Sequence, residues 1–137
     1  MLLSITTMKH YYLPLFILLI APAISFADPI DKVADLIRQG DIHELSKLFA
    51  SSVDITILDQ EYVYPKAQAE IILAKFFSEN KLEKVSVLHK VNSNQNYRFG
   101  VLLVTTAKGI FRLTFTLKET DGTLTIIDLR IETDKVR

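Results

Sequence analysis

The chain contains no cysteine among its 137 residues, and only four glycines, four prolines and three histidines. Without cysteine there is no disulfide frame, no cysteine pair for a metal and no lipid-anchoring thiol. No charge sign dominates, since 16 basic residues face 16 acidic ones. Nothing in that balance points to nucleic acid or an anionic membrane. There is no glycine-rich dinucleotide fingerprint, no phosphate loop, no HExxH pair and no nucleophile elbow. No cofactor and no metal is therefore expected.

The first 27 residues have the make-up of an export signal. Lys9 and His10 give a weakly basic start, "YYLPLFILLI" (11–20) is a short apolar run, and "APAISFA" ends on small residues at Ser25 and Ala27. That order of charged start, apolar run and small-residue site predicts cleavage after Ala27 and a periplasmic or secreted product. The run falls short of the ~20 apolar residues of a membrane span, and an uncleaved anchor is the rival reading. Residues 28–137 then form a single domain. Its 15 basic and 16 acidic residues leave a net charge of −1, because Lys9 is the one charge removed.

The domain begins with helical patterns. "DPIDKVADLIRQG" has Asp28 to cap, Pro29 for the first turn and Gly40 to stop, with Ile30, Val33, Ala34 and Ile37 on one stripe. "DIHELSKLFA" predicts a second helix capped by Asp41 with Glu44 three residues on. The period then changes. "SVDITILDQEYVY" alternates and predicts two short strands with a turn near Asp59–Gln60, ended by Pro65. "KAQAEIILAKFFSEN" is a third helix, apolar on two sides and expected to lie deep. Four strands follow: "EKVSVLHKV", "YRFGVLLVTT", "IFRLTFTLKE" and "TLTIIDLRIET".

Two gaps, "AKG" (107–109) and "TDG" (120–122), end in glycine. As three-residue hairpin loops they set Leu103 opposite Leu113 and Phe115 opposite Ile127. One face then collects Phe99, Val101, Leu103, Phe111, Leu113, Phe115, Leu117, Ile127, Leu129 and Ile131. A five-residue "NSNQN" loop adds Val85, Val87 and His89 to it. The opposite face carries Leu102, Val104, Ile110, Arg112, Ile126, Asp128 and Arg130. It reads as a solvated charge cluster, and its apolar share makes cover by a second copy the alternative.

These elements in this order are similar to the nuclear transport factor 2-like (cystatin-like) fold. The fold class expected is α+β, N-terminal helices packed on a curved antiparallel sheet that forms a cone. More narrowly, "YPKAQAEIILAKFF" (64–77), "LHKV" (88–91), "YRFGVLLVTTAKGIFRLTFTLK" (97–118) and "LTIIDLRIE" (124–132) resemble a family of small secreted bacterial domains, the domain of unknown function 4783 family. The resemblance spans nearly all of residues 28–137. It implies a fold and no chemistry, because the broader fold hosts isomerases, dehydratases, binding modules and dimerisation domains.

The domain's two histidines are His43, read as a polar surface residue, and His89. In the register above His89, Phe99, Leu117 and Thr125 share a row, beside Val91, Tyr97, Glu119 and Thr123. Polar groups thus gather at one end of an apolar face, where a cone opens. His89, Tyr97, Phe99, Thr125 and Tyr64 are the pocket candidates, with Tyr62 beside them at the mouth. The function expected is a non-enzymatic module that binds a small apolar ligand or acts as a scaffold, self-associating through Leu102, Val104, Arg112, Ile126, Asp128 and Arg130. The alternative is a small-molecule lyase or isomerase with His89 as general base. Enzymes of this fold often pair such a base with a carboxylate inside the cone. Here Asp54 and Asp128 fall on the other face.

Overall fold

The structure, a computed structural model, describes residues 28–93 and 96–135. The export signal and cleavage site expected from the sequence lie outside the described residues. Helix α1 (Pro29–Arg38) starts where Asp28 accepts a 2.8 Å hydrogen bond from the Ile30 amide, and it buries Ile30, Val33, Ala34 and Ile37. Helix α2 is a short piece, Ile42–Ser46, capped by Asp41 through the Glu44 amide at 3.1 Å. The longer second helix expected from the sequence ends early, because Phe49 already begins strand β1 (Phe49–Ile57). Strand β2 (Gln60–Pro65) returns antiparallel, with Ile57 opposite Gln60. Helix α3 (Lys66–Glu79) follows and buries Ala69, Leu73 and Phe76. It lies less deep than its composition implies, since Ile71 is 59% exposed.

Strands β3 (Leu82–Asn92), β4 (Tyr97–Thr106), β5 (Gly109–Thr120) and β6 (Thr123–Thr133) complete one sheet, in the order β2-β1-β6-β5-β4-β3. The sheet is antiparallel, as expected, except at one pair: β1 runs parallel to β6, Asp54 beside Asp128 and Ile55 beside Leu129. That one parallel pair brings the first hairpin back against the last strand. Helix α1 crosses β3 and β4 on one face. Arg38 Nη2 donates to the Val85 carbonyl at 3.1 Å, and Lys90 Nζ reaches Asp31 at 2.7 Å and Asp28 at 3.5 Å.

The register corrects the sequence reading. Both loops are two-residue turns, with Thr106 opposite Gly109 and Thr120 opposite Thr123. Asp121 and Gly122 both have positive φ, 51° and 78°, as the tight primed turn requires. One residue fewer in the first loop sets Leu102, not Leu103, opposite Leu113, and turns every β4 side chain to the other face. Leu102 and Val104 are therefore core residues, 0% and 1% exposed, and Val101 and Leu103 stand outside, half-buried.

Bulges complete the correction. One between Thr116 and Leu117 sets Leu117 opposite Ile126 and Phe115 opposite Leu129, so Ile126 is buried where Ile127 was expected. Another at Leu88 sets Val87 opposite Leu102 but His89 opposite Val101, which sends His89 outside. Gly100 shows why the register is unique. It faces Phe115, and a Cβ there would stand 2.4 and 2.6 Å from the ring and 3.0 Å from Ile30 Cγ2. Only glycine lets α1 and the Phe115 ring close on this strand.

Candidate functional site

Alternation along β1 turns Ile55 and Ile57 toward the helices. The hairpin register sets Tyr62 opposite Ile55, Tyr64 opposite Val53 and Gln60 opposite Ile57. Across from them α3 offers Ile72, Lys75, Phe76 and Glu79, a spacing of i, i+3, i+4, i+7 that forms one helical face. Together these nine side chains, without Val53, line a half-open cavity of about 230 Å³. Its floor is apolar. Tyr62 and Tyr64 form one wall, their ring centroids 5.9 Å apart and tilted by 52°. Phe76 is held edge-on by Phe77 and Phe111, each at 5.2 Å, so the helix side of the floor is rigid. At the mouth Lys75 and Glu79 are exposed, and neither makes an ion pair among the described residues.

Of the sequence candidates for a pocket, Tyr64 lines this cavity, with Tyr62 beside it. His89, Tyr97, Phe99 and Thr125 lie elsewhere, on the outer face, in three different rows of the observed register. Tyr97 pairs with Lys118 and Lys118 with Thr125, while Phe99 pairs with Val91 and Thr116. The Lys118 ammonium sits 5.9 Å from the Tyr97 ring centroid. His89 is exposed, and no carboxylate lies within hydrogen-bond reach of it among the described residues. His43 is the histidine that has one, with Nδ1 2.6 Å from Glu70 Oε1 between α2 and α3.

The outer face otherwise carries the polar residues expected there. Arg112, Asp128 and Arg130 are on it, whereas Leu102, Val104 and Ile126 have left it for the core. Across all six strands one row reads Val91, Phe99, Thr116, Asp128, Asp54, Val63. Thr116 Oγ1 donates to Asp128 Oδ2 at 3.2 Å. Burial holds the Asp128 carboxyl above its ordinary range, and the Asp54 charge adds to this against the opposing pull of Thr116 and Arg130. Among the described residues Asp54 Oδ1 and Thr56 Oγ1 find no hydrogen-bond partner, though both atoms are buried.

Sequence reading missed Gln60, Ile72, Lys75 and Glu79. The signal for three of them was the 72-75-76-79 stripe, which mixes two charges into an apolar face. Among the described residues no three acidic or histidine side chains gather to hold a metal, and no helix is long and apolar enough to cross a membrane.

Helices on one face of a six-stranded mixed sheet, with a cavity between the first hairpin and the third helix, define a nuclear transport factor 2-like domain. Residues 30–132 match the family described as domain of unknown function DUF4783, and the chain belongs to that family. A DUF4783 protein from Bacteroides uniformis is 25% identical, with a TM-score of 0.74 over 80% of this chain and 100% of its own. A second, from Bacteroides ovatus, is 24% identical, with a TM-score of 0.72 over 76% of this chain and 94% of its own. A nuclear transport factor 2-like protein of unknown function in nutrient uptake from Rhodospirillum rubrum shares the fold. It is 16% identical, with a TM-score of 0.57 over 79% of this chain and 100% of its own. No curated protein matches the chain.

Proposed function

We propose that this protein is an exported binding module that holds a small ligand between its first hairpin and its third helix. The observation that carries the reading is the cavity of about 230 Å³, with an apolar floor, an aromatic wall and unpaired polar groups at its mouth. Ligand sites combine an apolar lining with a few placed polar groups; this cavity is smaller than the ~300–1,000 Å³ of pockets for drug-sized molecules and more polar. The exposed His89 lends no support to an acid–base reaction. Native mass spectrometry of the protein purified from the exported fraction tests the reading. A retained small mass is expected, and Ile72→Trp, which fills the cavity, should abolish it while the protein stays folded. Retention by a folded Ile72→Trp variant would refute it. The same spectrum reports export processing, with Asp28 as the expected first residue and an intact Met1 as the contrary result.

The outer face supports a second property, a homodimer. Phe99 and Val91 are 36% and 51% exposed and adjoin Val101 and Leu103 at the β3–β4 end. A two-fold axis there joins apolar to apolar. An axis through Asp54 and Asp128 would bring four carboxyl groups together, which like-charge repulsion disfavours. Phe99→Glu should turn a dimer into a folded monomer in sedimentation. A wild type that sediments as a monomer at high micromolar concentration removes the dimer.

A further inference from the structure

The mouth of the cavity narrows the class of ligand, and this inference rests on the binding reading above. Lys75 and Glu79 stand one helical turn apart on α3, about 6 Å along the axis. Both line the cavity, and both are without an ionic partner among the described residues. They do not neutralise each other, and lysine preceding glutamate by four is the weaker order for such a pair. The rim thus presents a free cation and a free anion side by side. Below them lie Ile55, Ile72 and Phe76, with Tyr62 and Tyr64 on the opposite wall. A purely apolar ligand uses neither charge. A simple anion or cation uses one and meets repulsion from the other.

We infer that the cavity takes a zwitterionic α-amino acid with an apolar or aromatic side chain. Its carboxylate pairs with Lys75 Nζ, its ammonium pairs with the Glu79 carboxylate, and its side chain lies on the tyrosine wall. The size agrees. A cavity of about 230 Å³, below the ~300–1,000 Å³ of pockets for drug-sized molecules, suits a single amino acid rather than a long peptide.

Calorimetric titration of the purified protein with four probes tests this: L-phenylalanine, L-leucine, 3-phenylpropionate and phenethylamine. The two amino acids should bind, and phenylalanine should bind at least tenfold more tightly than either singly charged analogue. Lys75→Met and Glu79→Gln should each weaken phenylalanine about tenfold. In the Glu79→Gln variant phenylpropionate should gain on phenylalanine, which a merely misfolded variant would not show. If phenylpropionate or phenethylamine matches phenylalanine in the wild type, the zwitterion is wrong, while loss of that binding in Ile72→Trp keeps the cavity reading. If none of the four binds, the amino-acid class is overturned. The cavity reading falls separately, when a ligand retained on purification survives Ile72→Trp.

Discussion

The two faces of the sheet are made by the same strands and have opposite chemistry. The helix-side face carries Leu102, Leu113, Phe115, Leu129 and Ile131, all at 0–1% exposure. Among the described residues no helix covers the outer face, yet it hides Thr116, Thr56 and one oxygen of Asp54 among neighbouring side chains. Apolar burial under the helices needs only shape, whereas buried polar groups need partners, and the outer face supplies only some of them. Stability therefore belongs to the inner face. The outer face offers exposed apolar residues at its β3–β4 end and titratable ones at its centre.

Filling the inner face where it is tightest should have the largest effect. Gly100→Val drives a side chain into the Phe115 ring and Ile30. A loss of about 3 kcal/mol or failure to fold is expected, read by denaturant melts. A melt near wild type would mean the β4–β5 register is wrong. Next comes a direct contrast of faces. Leu113→Ala empties a fully buried site and should cost about 2–5 kcal/mol. Leu103→Ala, on the half-buried outer side, should cost under about 1 kcal/mol. Similar losses at both positions would erase the distinction between the faces.

A turn variant sharpens the same register. Gly122→Val places a β-branched residue at φ 78° and should cost about 1–3 kcal/mol. The smallest effect is on the outer face itself. Burial raises the Asp128 carboxyl, so the folded state holds that proton more tightly than the unfolded chain. The resulting stability is present in acid and is lost as pH rises from the ordinary aspartate range through the raised value. Asp128→Asn should therefore melt slightly later than wild type at neutral pH and at the same point in strong acid. A variant that melts earlier at neutral pH would show that the charge, and not its burial, matters there.

Much of this was legible along the chain. Asp28, Pro29 and Gly40 announce α1, and the alternation of Val53, Ile55 and Ile57 places Asp54 outside. Period two on β5 sorts Phe111, Leu113, Phe115 and Leu117 to the core. Of the pocket candidates, Tyr64 lines the cavity beside α3. The register of β4 was not legible, because "FGVLLV" is apolar on both faces: one assignment buries Phe99, Val101 and Leu103, the other Leu102 and Val104 beside Gly100. The Asp-Gly pair at 121–122 did signal a two-residue primed turn, and reading it as three residues shifted the strand that follows.

Local chemistry by itself determined where most helices and strands lie, since caps, turn residues and hydrophobic period act over a few neighbours. Tertiary structure alone decided which face of β4 is core, because that depends on Gly100 meeting Phe115 and Ile30 from distant elements. It alone sent His89 outside, through a bulge at Leu88. It alone made the cavity, by parallel pairing of β1 with β6 and by laying α3 across the first hairpin. Such long-range packing is a property of surfaces that meet only after folding, and no window of sequence contains both sides.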